Sequence, residues 1–306
     1  MKILVFGSRG LVGSSTVKLL KDKNIYKQVI PSSRQDTNLF DFNSTYKTIS
    51  EESPDVIVNA AARVGGIVAN NTNRFEFIVE NLKINLNILE SIKDFKNIRL
   101  INLGSSCIYP LDAGNPIKEE YIMSGKLEPT NSPYAMAKLT AIEIGNSMKQ
   151  QFGMNITNLM PTNLYGPNDN FSETESHVIP GLIRRMHNSK IDNDNEFKIW
   201  GTGEPKREFL YAEDLAEAIN FVISNEISEE LLNVGSNEEV TIKHLAEIIR
   251  DNVQYEGSLT FDTDKPDGNP RKLLDSTKIF ELGWKPKVKL EEGIEKTYKW
   301  FLENIA

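Results

Sequence analysis

A short apolar strand followed at once by a glycine-rich turn limits what this chain can fold into. Residues 2–6 (Lys-Ile-Leu-Val-Phe) are a predicted strand, and residues 3–6 have the continuous apolar character of a strand that is buried on both faces. Glycines follow at Gly7, Gly10 and Gly13, and residues 11–23 have a helical pattern. Glycines let a backbone approach a pyrophosphate, and a helix N-terminus favours its negative charge. The segment therefore predicts a parallel α/β sheet with a dinucleotide at the first strand–helix turn, although such a turn can also exist without a ligand.

The alternation of strands and helices continues through the first half of the chain. Strands are predicted at residues 2–6, 28–30, 55–59, 99–103 and 155–160, and helices at 11–23, 44–52, 74–93 and 133–152. Strands that alternate with helices build a parallel sheet with right-handed crossovers. We therefore expect an α/β fold, a doubly wound parallel sheet of the Rossmann type with a smaller C-terminal α/β lobe for the substrate.

After residue 160 the alternation becomes irregular. Residues 161–175 are rich in Pro, Asn, Gly and Asp, which predicts a loop. The patterns at 213–223 and 231–234 indicate a return of the chain to the sheet, and further helices are predicted at 241–251, 276–282 and 290–303. We expect residues 1–165, joined by 211–240, to form a cofactor domain. Residues 166–210 and 241–306 would form the substrate-binding lobe.

Composition excludes several classes of function. The formal net charge is −8 and no basic segment dominates, which argues against nonspecific nucleic-acid binding. No apolar run is long enough to cross a membrane, and the first apolar segment is too short for a signal peptide. The one cysteine, Cys107, excludes an internal disulfide and suits a reducing compartment such as the cytoplasm. No Cys or His cluster has the spacing of a metal site, so we expect no metal.

Tyr134 and Lys138 are four residues apart on a predicted helix and so share one face. An ammonium beside a phenol favours the phenolate, which predicts a lowered pKa for Tyr134. Such a hydroxyl suits proton transfer to a ketone oxygen while a hydride arrives at the carbon. Ser105, at the end of a predicted strand, could hold the same oxygen. Tyr and Lys at this spacing are usually only helix surface, so the prediction depends on their combination with Ser105 and the glycine turn.

The end of the second predicted strand bears on the choice between NAD and NADP. NAD sites usually carry an acidic residue there, whereas an Arg accommodates the 2′-phosphate of NADP. Arg34 follows two serines, and no acidic residue occurs before Asp36. Arg9, next to Ser8 inside the glycine turn, could reach the same phosphate. Arg34 could also be an ordinary solvated residue. We predict NADP, with Ser8, Arg9 and Arg34 among its contacts.

Longer motifs along nearly the whole chain resemble the extended short-chain dehydrogenase/reductases. The matching segments are residues 60–67 with 70–71, 103–110, 127–135, 160–167, 176–180, 207–210, and 265–268 with 270–272. The Tyr–Lys pair is common to a large superfamily. Together, three other motifs restrict the resemblance to far fewer proteins: Val64-Gly65-Gly66-Ile67, Ser105-Ser106-Cys107 and Ser176-His177-Val178-Ile179-Pro180. Arg63 and Asn168 stand where the similar enzymes more often have Lys and His.

Within this family the resemblance implies two activities in one site. The substrate would be a GDP-bound 4-keto-6-deoxy sugar. C3 and C5 would be inverted, and NADPH would then reduce the C4 ketone to give GDP-L-fucose. A C4 ketone acidifies the hydrogens on both neighbouring carbons, so one base and one acid on opposite faces of the ring can invert them. The alternatives are a 4-epimerase or 4,6-dehydratase that recycles bound NAD, and a noncatalytic NADP-binding protein.

The resemblance also implies roles for individual residues. Cys107 would be the base and His177 the acid, although the residues alone do not orient either one on the ring. His187 and His244 lack a comparable context. The catalytic set implied is Ser105, Cys107, Tyr134, Lys138 and His177. Beyond the glycine turn, further cofactor contacts are implied for Lys138, Pro161, Leu164 and His177.

Five residues are candidates for holding the sugar nucleotide. The candidates are Asn163, Arg185, Trp200, Arg207 and Asp267. The guanidiniums of Arg185 and Arg207 suit a diphosphate, although Arg207 could instead form a structural ion pair. Trp200 could stack on the base or pack in a core, and Asp267 could merely cap a turn.

The long helices at 74–93 and 133–152 bear on assembly. In similar proteins these helices pair across a two-fold axis, so we expect a homodimer. The same apolar faces could instead cover the sheet.

Overall fold

The computed structural model describes residues 1–173, 175–265 and 267–306. The strands are β1 (Lys2–Phe6), β2 (Gln28–Ser32), β3 (Val56–Asn59), β4 (Arg99–Leu103), β5 (Ile156–Pro161), β6 (Asn163–Tyr165), β7 (Glu196–Trp200), β8 (Lys206–Tyr211), β9 (Leu231–Val234), β10 (Glu239–Thr241), β11 (Ser258–Asp262) and β12 (Arg271–Lys272). The helices are α1 (Leu11–Lys23), α2 (Phe42–Glu52), α3 (Ile67–Thr72), α4 (Arg74–Ile92), α5 (Ser132–Phe152), α6 (Val178–Ile191), α7 (Ala212–Ser224), α8 (Ile242–Val253), α9 (Thr277–Glu281) and α10 (Leu290–Asn304).

The main sheet is parallel, with strand order β2-β1-β3-β4-β5-β9. Alternate residues of β1 point to opposite faces. On one face, Ile3 and Val5 join a core that includes Leu20 of α1 and Ile219 of α7. On the other face, Leu4 packs in a second core together with α2, α4 and α5. Helices on both faces of a parallel sheet confirm the predicted doubly wound α/β class.

A smaller set of strands and helices follows the loop after β5. Strand β8 pairs with β6, β10 and β12, while β7 pairs with β11. The helices α6, α8 and α10 enclose a core that includes Ile183, Leu245 and Phe301. Between these elements the chain passes through α7 and adds β9 beside β5. The C-terminal α/β lobe is therefore built around its own core.

Two parts of the sequence-based prediction differ from the structure. Residues 161–175 were predicted as loop, but Asn163–Tyr165 form β6 because they pair with β8, more than forty positions later in the chain. Helix α3 and the strands β7, β8 and β10 to β12 were not predicted. These elements are short, and most of their pairing partners are distant in sequence, so local pattern carries little signal for them.

Two further findings concern membranes and metals. Within residues 1–173, 175–265 and 267–306, no helix has the length and apolar character needed to cross a bilayer. The same residues contain no cluster of three or more His, Cys, Asp or Glu side chains that could hold a metal ion.

Candidate active site

Part of the predicted site lies at the carboxyl edge of the main sheet. The glycine turn follows β1, Ser105 and Cys107 follow β4, and Asn163 follows β5. Tyr134 and Lys138 lie in the first half of α5, which packs against the turn that holds Cys107. In doubly wound sheets, ligands bind in the crevice outside this edge.

The glycine turn is fixed by close backbone contacts. Gly7 has φ +75°, a left-handed conformation that favours glycine. A Cβ on Gly13 would lie 2.1 Å from the Gly7 carbonyl oxygen, so α1 can pack this closely to β1 only with glycine. The Ser8 N–H donates to the Ser32 carbonyl at 3.1 Å, which ties the turn to the end of β2. The first turn of α1 contains no acidic residue and is open to a pyrophosphate.

Two guanidiniums border the end of β2. Arg34 is exposed and its guanidinium carbon lies 4.9 Å from the Phe40 ring centroid. Arg9 donates to Gln35 Oε1 at 2.8 Å. Asp36, the first acidic residue after β2, accepts from the Ser33 hydroxyl and N–H at 2.6 and 2.8 Å, and these bonds lower its pKa. Two arginines and an acid already engaged by serine fit a 2′-phosphate better than a ribose diol.

Two further predicted cofactor contacts, Pro161 and Leu164, lie at and just beyond the end of a strand of the main sheet. Pro161 ends β5 and Leu164 lies on the short strand β6. Pro161 pairs with Val234 of β9, so both strand ends meet at this edge.

Tyr134 and Lys138 share one buried helix face, as predicted. Tyr134 is 9% exposed, and its ring packs edge-on against Phe77 with 6.4 Å between centroids. Lys138 is 2% exposed; its Nζ lies 5.8 Å from the Tyr134 ring centroid and donates to the Leu103 carbonyl at 2.7 Å. The two side chains therefore form one buried proton-donor and cation pair.

The predicted lowering of the Tyr134 pKa is wrong for this structure. Burial raises the pKa of Tyr134, and the nearby Cys107 raises it further, while a hydrogen bond with Ser105 offsets part of the increase. Burial lowers the pKa of Lys138 to about 8. Desolvation therefore outweighs the attraction that spacing alone predicts, and Tyr134 holds its proton as a neutral phenol near neutral pH.

Replacing Lys138 with Met is expected to stabilise the cofactor-free protein by roughly 2 kcal/mol at pH 7. The unfolded chain binds more protons than the folded one between the folded pKa of about 8 and the unfolded value near 10.5. The parent protein therefore becomes more stable as pH rises through this window, and below pH 8 it carries the full penalty. Urea unfolding at pH 7 and pH 10 measures the effect, which should shrink at pH 10.

Lys96→Met is the matched control, since Lys96 is exposed on the same protein. We expect it to change stability little at either pH. A Lys138→Met variant that is less stable than the parent at pH 7 would show that the surroundings favour the buried ammonium.

Ser105 and Cys107 form one short turn after β4. The Cys107 N–H donates to Ser105 Oγ at 3.2 Å. The Cys107 sulfur is half-buried, accepts from Asn131 Nδ2 at 3.5 Å, and lies 3.8 Å from the Nζ of Lys272. Cys107 also packs against the apolar cluster that contains Tyr134. The sulfur therefore has side-chain nitrogens of Asn131 and Lys272 as neighbours.

His177 lies on a different element, at the N-terminal cap of α6. Its side chain is open to solvent, yet the surrounding protein desolvates it enough to lower its pKa. The positive end of a helix dipole also disfavours an imidazolium at this position. The loop that leads to His177 contacts the turn at Gly66, whose N–H donates to the Glu175 carbonyl at 2.9 Å.

Two of the candidate nucleotide-binding residues, Arg185 and Trp200, lie next to each other in the C-terminal lobe. The Arg185 guanidinium carbon lies 5.3 Å from the Phe197 ring centroid and 5.7 Å from that of Trp200, which is 59% exposed. Desolvation lowers the pKa of Arg185 and of Arg207, a cost that a bound anion would offset.

Asp267 and Asn163 already have protein partners. The Asp267 carboxylate accepts from the Thr202 N–H at 2.9 Å and from its hydroxyl at 2.7 Å, and its charge acts on Arg207. Asn163 Nδ2 donates to the Glu208 carbonyl at 2.8 Å. The motif predicted at 265–268 includes Pro266, which lies outside the described residues.

The sequence motifs missed two residues of this site. Lys272 reaches Cys107 from 165 positions later in the chain. Buried Asn70 donates to the carbonyls of Gly65 and Gly66, next to the loop that carries His177. The only sequence signal for both was their place inside family-matching segments, which gave neither a partner nor a role.

The fold and this site define a dinucleotide-dependent enzyme of the dehydrogenase/reductase class. Residues 3–235 match the model of the NAD dependent epimerase/dehydratase family, and the chain belongs to that family.

Individual relatives have more specific names than this family. The probable GDP-L-fucose synthase 1 of Oryza sativa subsp. japonica is 46% identical over 305 residues, which cover 99% of this chain and 93% of that protein. The GDP-L-fucose synthase of Escherichia coli (strain K12) is 42% identical, and the match covers 99% of this chain and 97% of that protein. The crystal structure of a GDP-L-fucose synthetase from Naegleria fowleri bound to NADP matches with a TM-score of 0.90 at 29% identity, over 99% and 94% of the two chains.

Proposed function

We propose that this chain converts GDP-4-keto-6-deoxy-D-mannose to GDP-L-fucose, as an NADPH-dependent 3,5-epimerase and 4-reductase. One observation carries the proposal: Cys107 packs in the same small cluster as Tyr134, so a base for carbon and a proton donor for oxygen share one site. A 4-epimerase that only recycles a bound nicotinamide has no need of a carbon base. The names of the relatives at 42–46% identity agree with this function.

The epimerisation uses groups on two sides of the sugar ring. Cys107 removes the hydrogen from C3 or C5 as a proton, and the electron pair moves onto the C4 oxygen to give an enolate. Tyr134 and Ser105 stabilise that oxygen by hydrogen bonding. His177 returns a proton to the opposite face of the same carbon, which inverts it.

The reduction uses the same oxygen contacts. Bound at the glycine turn and beside Arg9 and Arg34, NADPH would supply the hydride for C4. Tyr134 gives its proton to the oxygen, and the ammonium of Lys138 stabilises the phenolate that remains. The raised pKa of Tyr134 keeps that proton available near neutral pH.

The C-terminal lobe would hold the nucleotide. Arg185 and Arg207 bind the diphosphate oxygens, and the exposed face of Trp200 stacks on the base or ribose. Asp267 and Asn163 orient these elements through their contacts with Thr202 and Glu208 and can also meet the substrate. The boundaries 1–165 with 211–240, and 166–210 with 241–306, describe the two functional units of this proposal.

The proposal includes a homodimer in the cytoplasm. Exposed apolar side chains on α4 and α5, among them Phe75, Leu86 and Met136, suit a helix-to-helix contact between two copies. A reducing compartment keeps the Cys107 thiol free.

A direct assay tests the proposed function. The purified chain is mixed with NADPH and GDP-4-keto-6-deoxy-D-mannose in deuterated water. We expect one NADPH oxidised per sugar and solvent deuterium at C3 and C5 of the product, measured by absorbance and NMR. No NADPH consumption and no deuterium in the sugar would support the alternatives, which are a 4-epimerase or 4,6-dehydratase that recycles bound NAD, and a noncatalytic binding protein.

A further inference from the structure

The short helix α3 lies between the two sides of the candidate site. On one side of α3, Ala69 packs in a cluster with Phe77 and Tyr134, and Cys107 packs against the same cluster. On the other side, the turn just before α3 contacts the loop that precedes His177. One segment therefore joins the cluster against which the proposed base packs and also contacts the chain leading to the proposed acid.

Contact with the His177 loop depends on a glycine. The Gly66 N–H donates to the Glu175 carbonyl at 2.9 Å. A Cβ on Gly66 would lie 2.6 Å from the Ser176 carbonyl oxygen, closer than any side chain can approach without movement. Ser176 directly precedes His177. A shift of this contact would therefore move the imidazole.

Asn70 holds the Gly65–Gly66 turn in place. It is 7% exposed, and its Nδ2 donates to the Gly65 carbonyl at 2.6 Å and to the Gly66 carbonyl at 3.1 Å. A buried amide with two such bonds is expensive to replace, because removal leaves both carbonyls without this partner. The next residue, Asn71, is exposed on the same helix.

We propose that Asn70 is a positioning residue for epimerisation, acting through the Gly65–Gly66 turn to fix where His177 lies relative to Cys107. The proposal rests on the proposed function and assigns this buried amide a role in only one of the two reactions. Inversion needs two groups placed on opposite faces of one carbon, so a displacement of about 1 Å can cost up to about 100-fold in rate. Reduction uses Tyr134 and Lys138, which lie on α5.

The test compares Asn70→Ala with Asn71→Ala, and adds Gly66→Ala as a second route to the same displacement. With NADP⁺ in place of NADPH, NMR of the sugar in deuterated water follows inversion at C3 and C5 without reduction. The inversion rate is divided by the number of NADPH-binding sites titrated by fluorescence, which removes any effect of misfolded protein. We expect Asn70→Ala and Gly66→Ala to lower inversion at least tenfold per site, and Asn71→Ala to match the parent.

A second readout separates positioning from general damage. With NADPH deuterated at the transferred position, slower epimerisation should mask hydride transfer, so any isotope effect of the parent falls toward one in Asn70→Ala. Inversion per binding site equal to the parent in both Asn70→Ala and Gly66→Ala would overturn the proposal. An unchanged isotope effect alongside slower inversion would also overturn it, because hydride transfer would then be equally damaged. A parent chain that binds NADPH but neither exchanges nor reduces the sugar would overturn the proposed function itself.

Discussion

Tyr134→Phe is expected to lower kcat for NADPH-dependent reduction of the keto sugar by about 10²- to 10⁴-fold, the usual contribution of a placed general acid. The substitution removes one oxygen and keeps the ring that packs against Phe77. NADPH affinity and the melting temperature should therefore change little. Stopped-flow absorbance of NADPH at saturating substrate measures the effect.

The size of this effect follows from the surroundings of the hydroxyl. Burial raises the pKa of Tyr134, so the phenol is fully protonated at neutral pH and can act as a donor. Burial also lowers the pKa of Lys138 to about 8, so the cation that stabilises the product phenolate is lost as pH rises above that value. The parent reductase rate should accordingly decline on the alkaline side of about pH 8.

Tyr46→Phe is the matched control. Tyr46 lies on α2, where its ring packs against Phe42 and Phe95, away from the carboxyl edge of the sheet. Its hydroxyl can be removed without touching the site, so the parent rate should be retained. Reduction at the parent rate by Tyr134→Phe would show that another group protonates the ketone oxygen, and Ser105 would be the first to examine.

The sequence predicted the main sheet well because each of its strands carries local information. β1 and β3 are apolar runs buried on both faces, and long helical patterns separate the strands. β6 and β10 are three residues long and acquire their strand conformation by pairing with β8. Nothing in their own composition predicts this pairing, which depends on contacts made across the fold.

In the candidate site, too, residues next to predicted elements could be placed from the sequence, and residues that depend on distant contacts could not. Ser105 and the glycine turn stand next to strand ends that the sequence predicts, so their place at one edge follows from topology. Lys272 could not be assigned to Cys107, because 165 positions separate them. The lowered pKa predicted for Tyr134 failed because spacing on a helix shows which side chains share a face and does not show how deeply that face is buried.

The second large effect concerns Cys107 and His177, the two groups proposed for epimerisation, whose replacement should have different consequences. Cys107→Ser is expected to slow deuterium exchange at both C3 and C5 by about 10²-fold or more. Serine preserves the size of the side chain, and the N–H of residue 107 can still donate to Ser105 Oγ. An alcohol is far less acidic than a thiol, so serine supplies almost no anionic base at neutral pH.

His177→Gln should leave exchange in place and abolish inversion. Cys107 would still remove the proton, and with no acid on the opposite face the proton would return from the same side. The half-buried thiol can exchange its own proton with solvent, so deuterium enters the ring without a change of configuration. NMR of the sugar after incubation with NADP⁺ in deuterated water distinguishes exchange from inversion.

His244→Gln controls for loss of an imidazole, because His244 is exposed on α8 beside Glu247 and distant in sequence from the site. It should match the parent in exchange and inversion. The opposite pattern, exchange retained in Cys107→Ser and lost in His177→Gln, would reverse the acid and base assignments. Parent rates of both exchange and inversion in the two variants would remove both residues from the reaction and leave the proximity of Cys107 to Lys272 as a structural contact only.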